Sequence, residues 1–379
     1  MSEKASPSMV QRSPLDEAHR VEGAAMRTGD GWLIPARYVD PLDEYRIVRD
    51  GGCGLIDLCA GGRIEVAGSE AEPFLNGLVT NDVKALPKGA WMLAAFPNVQ
   101  GRLVALVRIL RLDQTLFLLD TEAATRDRVR QMLERYTLAG DFRVRDATEE
   151  MALLSLQGAK ARETIAKVFG EEAARLERNR IASLDRNGPL LIRASHTGED
   201  GFDIFIEARR APEIWRAAKA AGARPIGFDA LETLRIEAGI PRYGIDMDET
   251  TVVLETGLDE AVSFTKGCYL GQEIIARIRW RGHVAKKLMG LVFDERNEPS
   301  EEEREALPKA KIIAPDGKEM GRITSSARSP RLERTIALAY IRYAYLEPGT
   351  EAHIALNERQ FKARVAALPM VRGSWDGAT

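Results

Sequence analysis

The chain has 379 residues, 45% of them hydrophobic, enough to bury a sizeable core and, at roughly 100–200 residues per domain, to form two or three domains. Its formal net charge of -3, from nearly balanced acidic and basic residues, offers no electrostatic footprint for nucleic acid. No apolar run approaches the ~20 residues of a membrane span and residues 1–30 hold no signal-peptide core, so a cytoplasmic protein without membrane contact is expected. Three cysteines, Cys53, Cys59 and Cys268, are too few and too scattered for a disulfide framework and read as reduced thiols.

Residues 1–20, opening "MSEKASPSMVQRSP", are polar and aperiodic and read as a disordered arm. Order is expected from "GWLIPARYVD", with a first unit over 30–145. There "GRIEVAG" alternates like a strand and stops at Gly68, and "SEAEPFLNGLV" has a serine cap and helical apolar spacing. "RLVALVRILRL" and "TLFLLD" form a hairpin about Asp113-Gln114, closed by the helix "TEAATRDRVRQMLERY". The same order returns over 146–290: the strand "MALLSLQG" ending at Gly158, the helix "AKARETIAKVF", the strands "LLIRAS" and "FDIFIE" about "HTGEDG", and the helix "APEIWRAAKAA". An α+β fold with two tandem ferredoxin-like β-α-β-β-α units follows.

Three stretches hold candidate chemistry. "HTGEDG" gathers Glu199 and Asp200 between two glycines, which reads either as a solvated turn or as a placed carboxylate. "GFDALETLRIEAG" is a helix with Asp229 as cap, Glu232 as capping-box partner and Gly239 as stop; Arg235 points sideways, toward solvent or a neighbouring site. "FTKGCYLGQE" holds Cys268 ahead of a helix starting at Gly271-Gln272-Glu273. A thiol beside Lys266 and helix N–H groups has two reasons for a lowered pKa, against the alternative of a half-buried cysteine in a glycine loop. No CxxC occurs and the four histidines lack ligand spacing, so no metal site is expected. The acidic stretch 291–310 reads as a connector, and 311–379 as a small β-domain, expected to be barrel-like because short strands alternate with turn signals.

Over about residues 30–370 the arrangement resembles the glycine-cleavage T-protein superfamily of tetrahydrofolate-binding proteins, through "GLIDLCAGGRIEVAGSEAEPFLNGLVTNDVKAL", "SLQGAKA", "TGEDGFDI", "LETLRIEAGIPRYGIDM" and "GRITSSARSP". Within it, "KGCYLGQE" is similar to the signature of the YgfZ branch, folate-binding proteins implicated in maintaining iron-sulfur enzymes and, through one of them, in tRNA modification. The resemblance implies two ferredoxin-like units and a C-terminal β-barrel-like domain around a central folate cavity. It also implies tetrahydrofolate or a derivative as cofactor, iron-sulfur enzymes as clients, and a monomer. Glu199 would anchor the pterin and Arg235 the folate carboxylates. His196, where the family usually has tyrosine, would stack or donate. Cys268 would do chemistry with Lys266 as charge partner, and Gln272 and Glu273 would fix the loop. T-proteins carry paired aspartates where this chain has Ala105 and Leu106, and the second acts on the folate amine. Losing such a group typically costs about 10²–10⁴-fold. The expected function is therefore YgfZ-type, with aminomethyl transfer to tetrahydrofolate, or a folate-free scaffold, as alternatives.

Overall fold

The computed structural model describes residues 10–135, 140–184 and 188–377. Of the expected N-terminal arm, 1–9 lie outside the described residues, but 10–20 are built into the fold. Strand β1 (Gln11–Arg12), helix α1 (Asp16–Val21) and the hairpin β2 (Ala25–Gly29) and β3 (Trp32–Arg37) follow in order, the strands forming a sheet β1-β3-β2. Leu15 and His19 are fully buried here. The anchor is polar: the Asp57 carboxylate, which can only accept, takes the His19 Nε2 proton at 2.8 Å, and Tyr38 donates its hydroxyl to Nδ1 at 2.8 Å. A histidine that is buried by partners rather than by periodicity leaves no apolar pattern to read. Helix α2 (Pro41–Arg49) then starts at Asp40, whose carboxylate accepts from the Leu42 N–H, with Pro41 at the first helical position, and β4 (Gly54–Asp57) follows.

The first unit comprises β5 (Gly62–Ala67), α3 (Ala71–Leu78), β6 (Ala90–Pro97), β7 (Leu103–Arg111), β8 (Leu116–Thr121), α4 (Arg126–Glu134) and β9 (Arg143–Asp146), with an antiparallel sheet β6-β7-β8-β5-β9. The second has β10 (Met151–Gln157), α5 (Ala161–Phe169), α6 (Glu171–Ala174), β11 (Ile181–Ser183), β12 (Leu190–Arg193), β13 (Gly201–Glu207), α7 (Ala211–Ala220) and β14 (Arg224–Pro225). Its sheet runs β11-β12-β13-β10-β4-β14. Strand β4 therefore crosses over, although the sequence places it in the first unit, and it takes Cys53 and Cys59 into the second unit's core. Burial pushes the Cys53 thiol up to about 11. The repeat is visible at Gly68 and Gly158, which both turn from strand into helix at positive φ; a Cβ would lie 2.2 Å from the Asp141 carbonyl oxygen or 2.5 Å from that of Gly52.

Helix α8 (Phe228–Ala238) ends at left-handed Gly239 as expected. Its start differs: Gly227 is the N-cap, and the Glu232 carboxylate accepts from Arg235 instead of closing a capping box. After α9 (Gln272–Arg281) comes a closed barrel, β15-β18-β17-β16-β19-β20, of β15 (Lys286–Phe293), β16 (Lys311–Ile313), β17 (Glu319–Ser329), β18 (Arg334–Arg342), β19 (Glu351–Leu356) and β20 (Arg359–Ala366). The barrel thus starts at Lys286, inside the span expected for the second unit, and the acidic connector contains α10 (Glu301–Ala306), capped reciprocally by Ser300 and Glu303. The short α11 (Ser374–Gly377) follows the barrel.

Apolar contacts close the units on one another. Leu110 and Leu118 of the first sheet meet Leu153, Ile192 and Phe205 of the second. Ile236 of α8 packs on Leu288, Ile336, Leu338 and Tyr340 of the barrel. Tyr243, Met247, Val253 and Val262, from the segment after α8, cover Ala95 and Leu103 of the first sheet. The α+β architecture of two sheet-and-helix units with a β-barrel is the one expected. Among the described residues, no helix is long and apolar enough to cross a membrane.

Candidate active site

Where the two sheets face each other, the apolar contact is interrupted by charge. Along β7, Ala105, Val107 and Ile109 point into the first unit's core, so Leu106, Arg108 and Leu110 point the other way. Along β13, Phe202, Ile204 and Ile206 fill the second unit's core, and Asp203 and Phe205 face β7. Arg108 spans the gap. Its Nε and Nη2 donate to Asp120 Oδ2 of β8 at 2.9 and 2.7 Å, and its Nη1 donates to Asp203. His196 Nε2 donates to the same carboxylate, at 2.9 Å to Oδ2 and 3.1 Å to Oδ1.

Asp203 is fully buried, which by itself would raise its pKa, but its pairing with His196 and with the Arg108 guanidinium outweighs burial and holds it well below the usual carboxylate range. The buried Arg63 guanidinium stands 3.8 Å from Asp120 Oδ1 on the far side. Gln157 fixes the approach to the hairpin, its Oε1 accepting from the His196 N–H at 2.9 Å and the Thr197 hydroxyl at 3.2 Å.

Positions 105 and 106 face opposite ways. Ala105 has no exposed surface and sits in the first unit's core, whereas Leu106 stands on the Arg108 side of β7, partly buried with Leu93, Leu254, Leu258 and Tyr269. At 106 the face of β7 that carries Arg108 presents an apolar wall.

Of the residues singled out in sequence, only His196 reaches this cluster. Glu199 is buried and already satisfied: Oε1 accepts from Arg49 Nη1 at 2.7 Å, and Oε2 from the backbone N–H and hydroxyl of Ser374 at 2.8 and 2.6 Å. Arg49 continues to the fully buried Glu237, which also accepts from Tyr45 and Ser329. A pterin at Glu199 would have to displace Arg49 or the C-terminal strap. Arg235 is not available as a folate-tail anchor either. All five of its N–H groups are directed at acceptors: Nε and Nη2 at the Glu232 carboxylate, Nη2 also at the Ser325 hydroxyl, and Nη1 at the Ile240 carbonyl and Asp246 Oδ2.

Cys268 is exposed, in the loop ahead of α9. Lys266 is turned away from the role of its charge partner. Its buried ammonium, lowered by burial to about 8, donates to the carbonyls of Asn76, Val79 and Asn81 at 2.6, 2.9 and 2.7 Å, which uses its three protons at the C-terminal end of α3. Gln272 Oε1 accepts from the Tyr269 N–H at 3.3 Å; Glu273 is an exposed partner of Arg277. Gly271 is required by packing, with a φ of 74° and no room for a Cβ, which would lie 2.3 Å from the Asn98 carbonyl oxygen. Replacing Lys266 with methionine should orphan three carbonyls at a cost of about 1–3 kcal/mol, measured by urea unfolding, and leave the alkylation rate of Cys268 unchanged. A slower alkylation would restore the lysine–thiolate pairing.

Arg108, Asp120 and Asp203 were missed from sequence. The available signal was a charged residue inside each of two otherwise apolar strands, "LVALVRIL" and "FDIFIE". Among the described residues, no group of three or more His, Cys, Asp or Glu is placed to hold a metal ion.

Comparison with known proteins settles the family. The GCVT N-terminal domain pattern matches residues 15–266, and the glycine cleavage T-protein C-terminal barrel domain matches 286–372. The chain belongs to the glycine cleavage T-protein family. Two curated family members, both named aminomethyltransferase, are those of Rubrobacter xylanophilus, 35% identical over 96% of this chain and 95% of that protein, and Symbiobacterium thermophilum, 34% identical over 96% and 98%. The crystal structure of glycine cleavage system aminomethyltransferase T from Bartonella henselae has the same fold, with a TM-score of 0.86 and 24% identity over 96% of this chain and 98% of that one. These findings overturn the YgfZ-type expectation. The full-length relatives carry the name aminomethyltransferase, and nothing in them supports iron-sulfur clients or tRNA modification, so the short "KGCYLGQE" likeness does not decide the function.

Proposed function

We propose that this T-protein family member is an aminomethyltransferase, moving a one-carbon unit from an aminomethyl donor to tetrahydrofolate. The observation that carries the proposal is 35% identity to a protein of that name along 96% of the chain, with both sheet units and the barrel retained. The junction of the two sheets supports it. There a partly exposed imidazole stands on a buried ionised carboxylate, a combination suited to a flat, polar-edged heterocycle. Tetrahydrofolate, the acceptor that the family resemblance implies, is the second substrate in this reading.

Purified protein supplied with an aminomethyl-lipoyl carrier protein and saturating tetrahydrofolate should produce 5,10-methylenetetrahydrofolate, followed by absorbance after enzymatic coupling. Absence of product, under conditions in which an authentic T-protein turns over, would overturn the proposal.

A further inference from the structure

The aminomethyltransferase reading, on which this inference rests, leaves a chemical gap. The carboxylate that acts on the folate amine in the T-proteins this chain resembles is replaced by Leu106. We propose that His196, oriented by Asp203, is the general acid–base of this protein and takes over that task.

A chain of side chains links the imidazole to the strand that carries the vacated position. Arg108 lies two residues beyond Leu106 on the same face of β7, and its Nη1 donates to the carboxylate that holds His196. Arg108 and Asp203 therefore connect the β7 face that carries position 106 to the ring. Because ionised Asp203 can only accept, Nε2 carries the ring proton and Nδ1 presents its lone pair. Nδ1 bonds to no described residue, and the side chain is 26% exposed while Asp203 is 0% exposed. A buried carboxylate behind a half-open imidazole is the pairing that fixes a tautomer and stabilises the imidazolium when it forms. The charged groups facing this pair are Arg108 from β7 and, through Arg108, Asp120 from β8 and Arg63 from β5; Gln157 and Ser155 of β10 face it as neutral groups.

The proton balance closes without an added reagent. One folate nitrogen bonds to the methylene carbon as the carbon–sulfur bond to the carrier breaks, and Nδ1 passes the proton lost by that nitrogen to the departing sulfur. The second folate nitrogen then displaces ammonia, its proton following the same route to the leaving amine. Nothing is oxidised or reduced.

The test compares wild type, His196→Gln, and His196→Gln combined with Leu106→Asp in the methylenetetrahydrofolate assay, across pH, with thermal melts to establish folding. His196→Gln should melt like wild type, lose about 10²-fold in kcat, keep its KM for tetrahydrofolate within about threefold, and lose the acidic limb of the pH profile. Adding Leu106→Asp should recover at least part of the rate by returning a carboxylate to the same wall. A His196→Gln variant with wild-type kcat and an unchanged acidic limb would overturn the assignment alone. A wild-type protein that makes no product would overturn the aminomethyltransferase reading, and this assignment with it.

Discussion

Arg108→Leu should destabilise the protein by about 3–5 kcal/mol, the usual consequence of removing one partner from a buried ion pair. The guanidinium compensates Asp203 and Asp120 together, and without it Asp203 would be a fully buried carboxylate with only His196 and the neutral Ser155 hydroxyl beside it. The pH dependence of the loss has a definite sign. In wild type the Asp203 pKa is depressed, so its contribution is present above the ordinary carboxylate pKa of about 4 and disappears as pH falls through the folded value. Without Arg108, burial raises that pKa, and protonation on acidification removes the unpaired charge. The difference between wild type and variant should therefore shrink as pH is lowered from 7 toward about 4. Equilibrium urea unfolding at several pH values measures it, and a deficit independent of pH would mean that Arg108 acts by packing rather than by charge. Asp203→Asn in the Arg108→Leu background should recover much of the lost stability, since it removes the stranded charge.

Arg235→Met should cost a similar amount, about 3–5 kcal/mol. Asp246 is fully buried and accepts from Arg235, from the Arg242 N–H at 2.9 Å and from the hydroxyls of Thr324 and Ser325. The arginine ties α8 to the segment beyond it and to β17 of the barrel, so the variant should unfold at lower urea concentration and loosen the seam between the second unit and the barrel. Its KM for tetrahydrofolate, measured where the variant is still folded, should change little. A variant of native stability with strongly weakened folate binding would return Arg235 to the role expected from the motif.

These cases show why motif residues were harder to read than elements. Strands such as "GRIEVAG" and "MALLSLQG" declare themselves because each needs only its own alternation of apolar residues and a glycine at the turn into the helix, and both conditions are local. Arg235 and Glu199 are polar residues in conspicuous motifs, and the sequence cannot say whether a polar group in a motif waits for a ligand or is consumed by the fold. Here the consuming partners are Asp246 and Ser325 for the first and Arg49 and Ser374 for the second, each of them far along the chain except Asp246. Lys266 was misread in the same way: adjacency to Cys268 suggested a charge pair, while its ammonium had carbonyl partners 185–190 residues away.

What the sequence determined by itself was the order and type of most elements of the two units, the two-fold repetition and the barrel, since hydrophobic period, caps and turn glycines act over a few residues; the N-terminal strand and helix, anchored by buried His19, were not among them. What only the tertiary structure decided was the crossing of β4 into the second sheet and the meeting of Arg108, Asp120, Asp203 and His196. A buried charge is tolerated only where a partner neutralises it, and that partner is chosen by how two sheets face each other, a relation that no local pattern in the chain records.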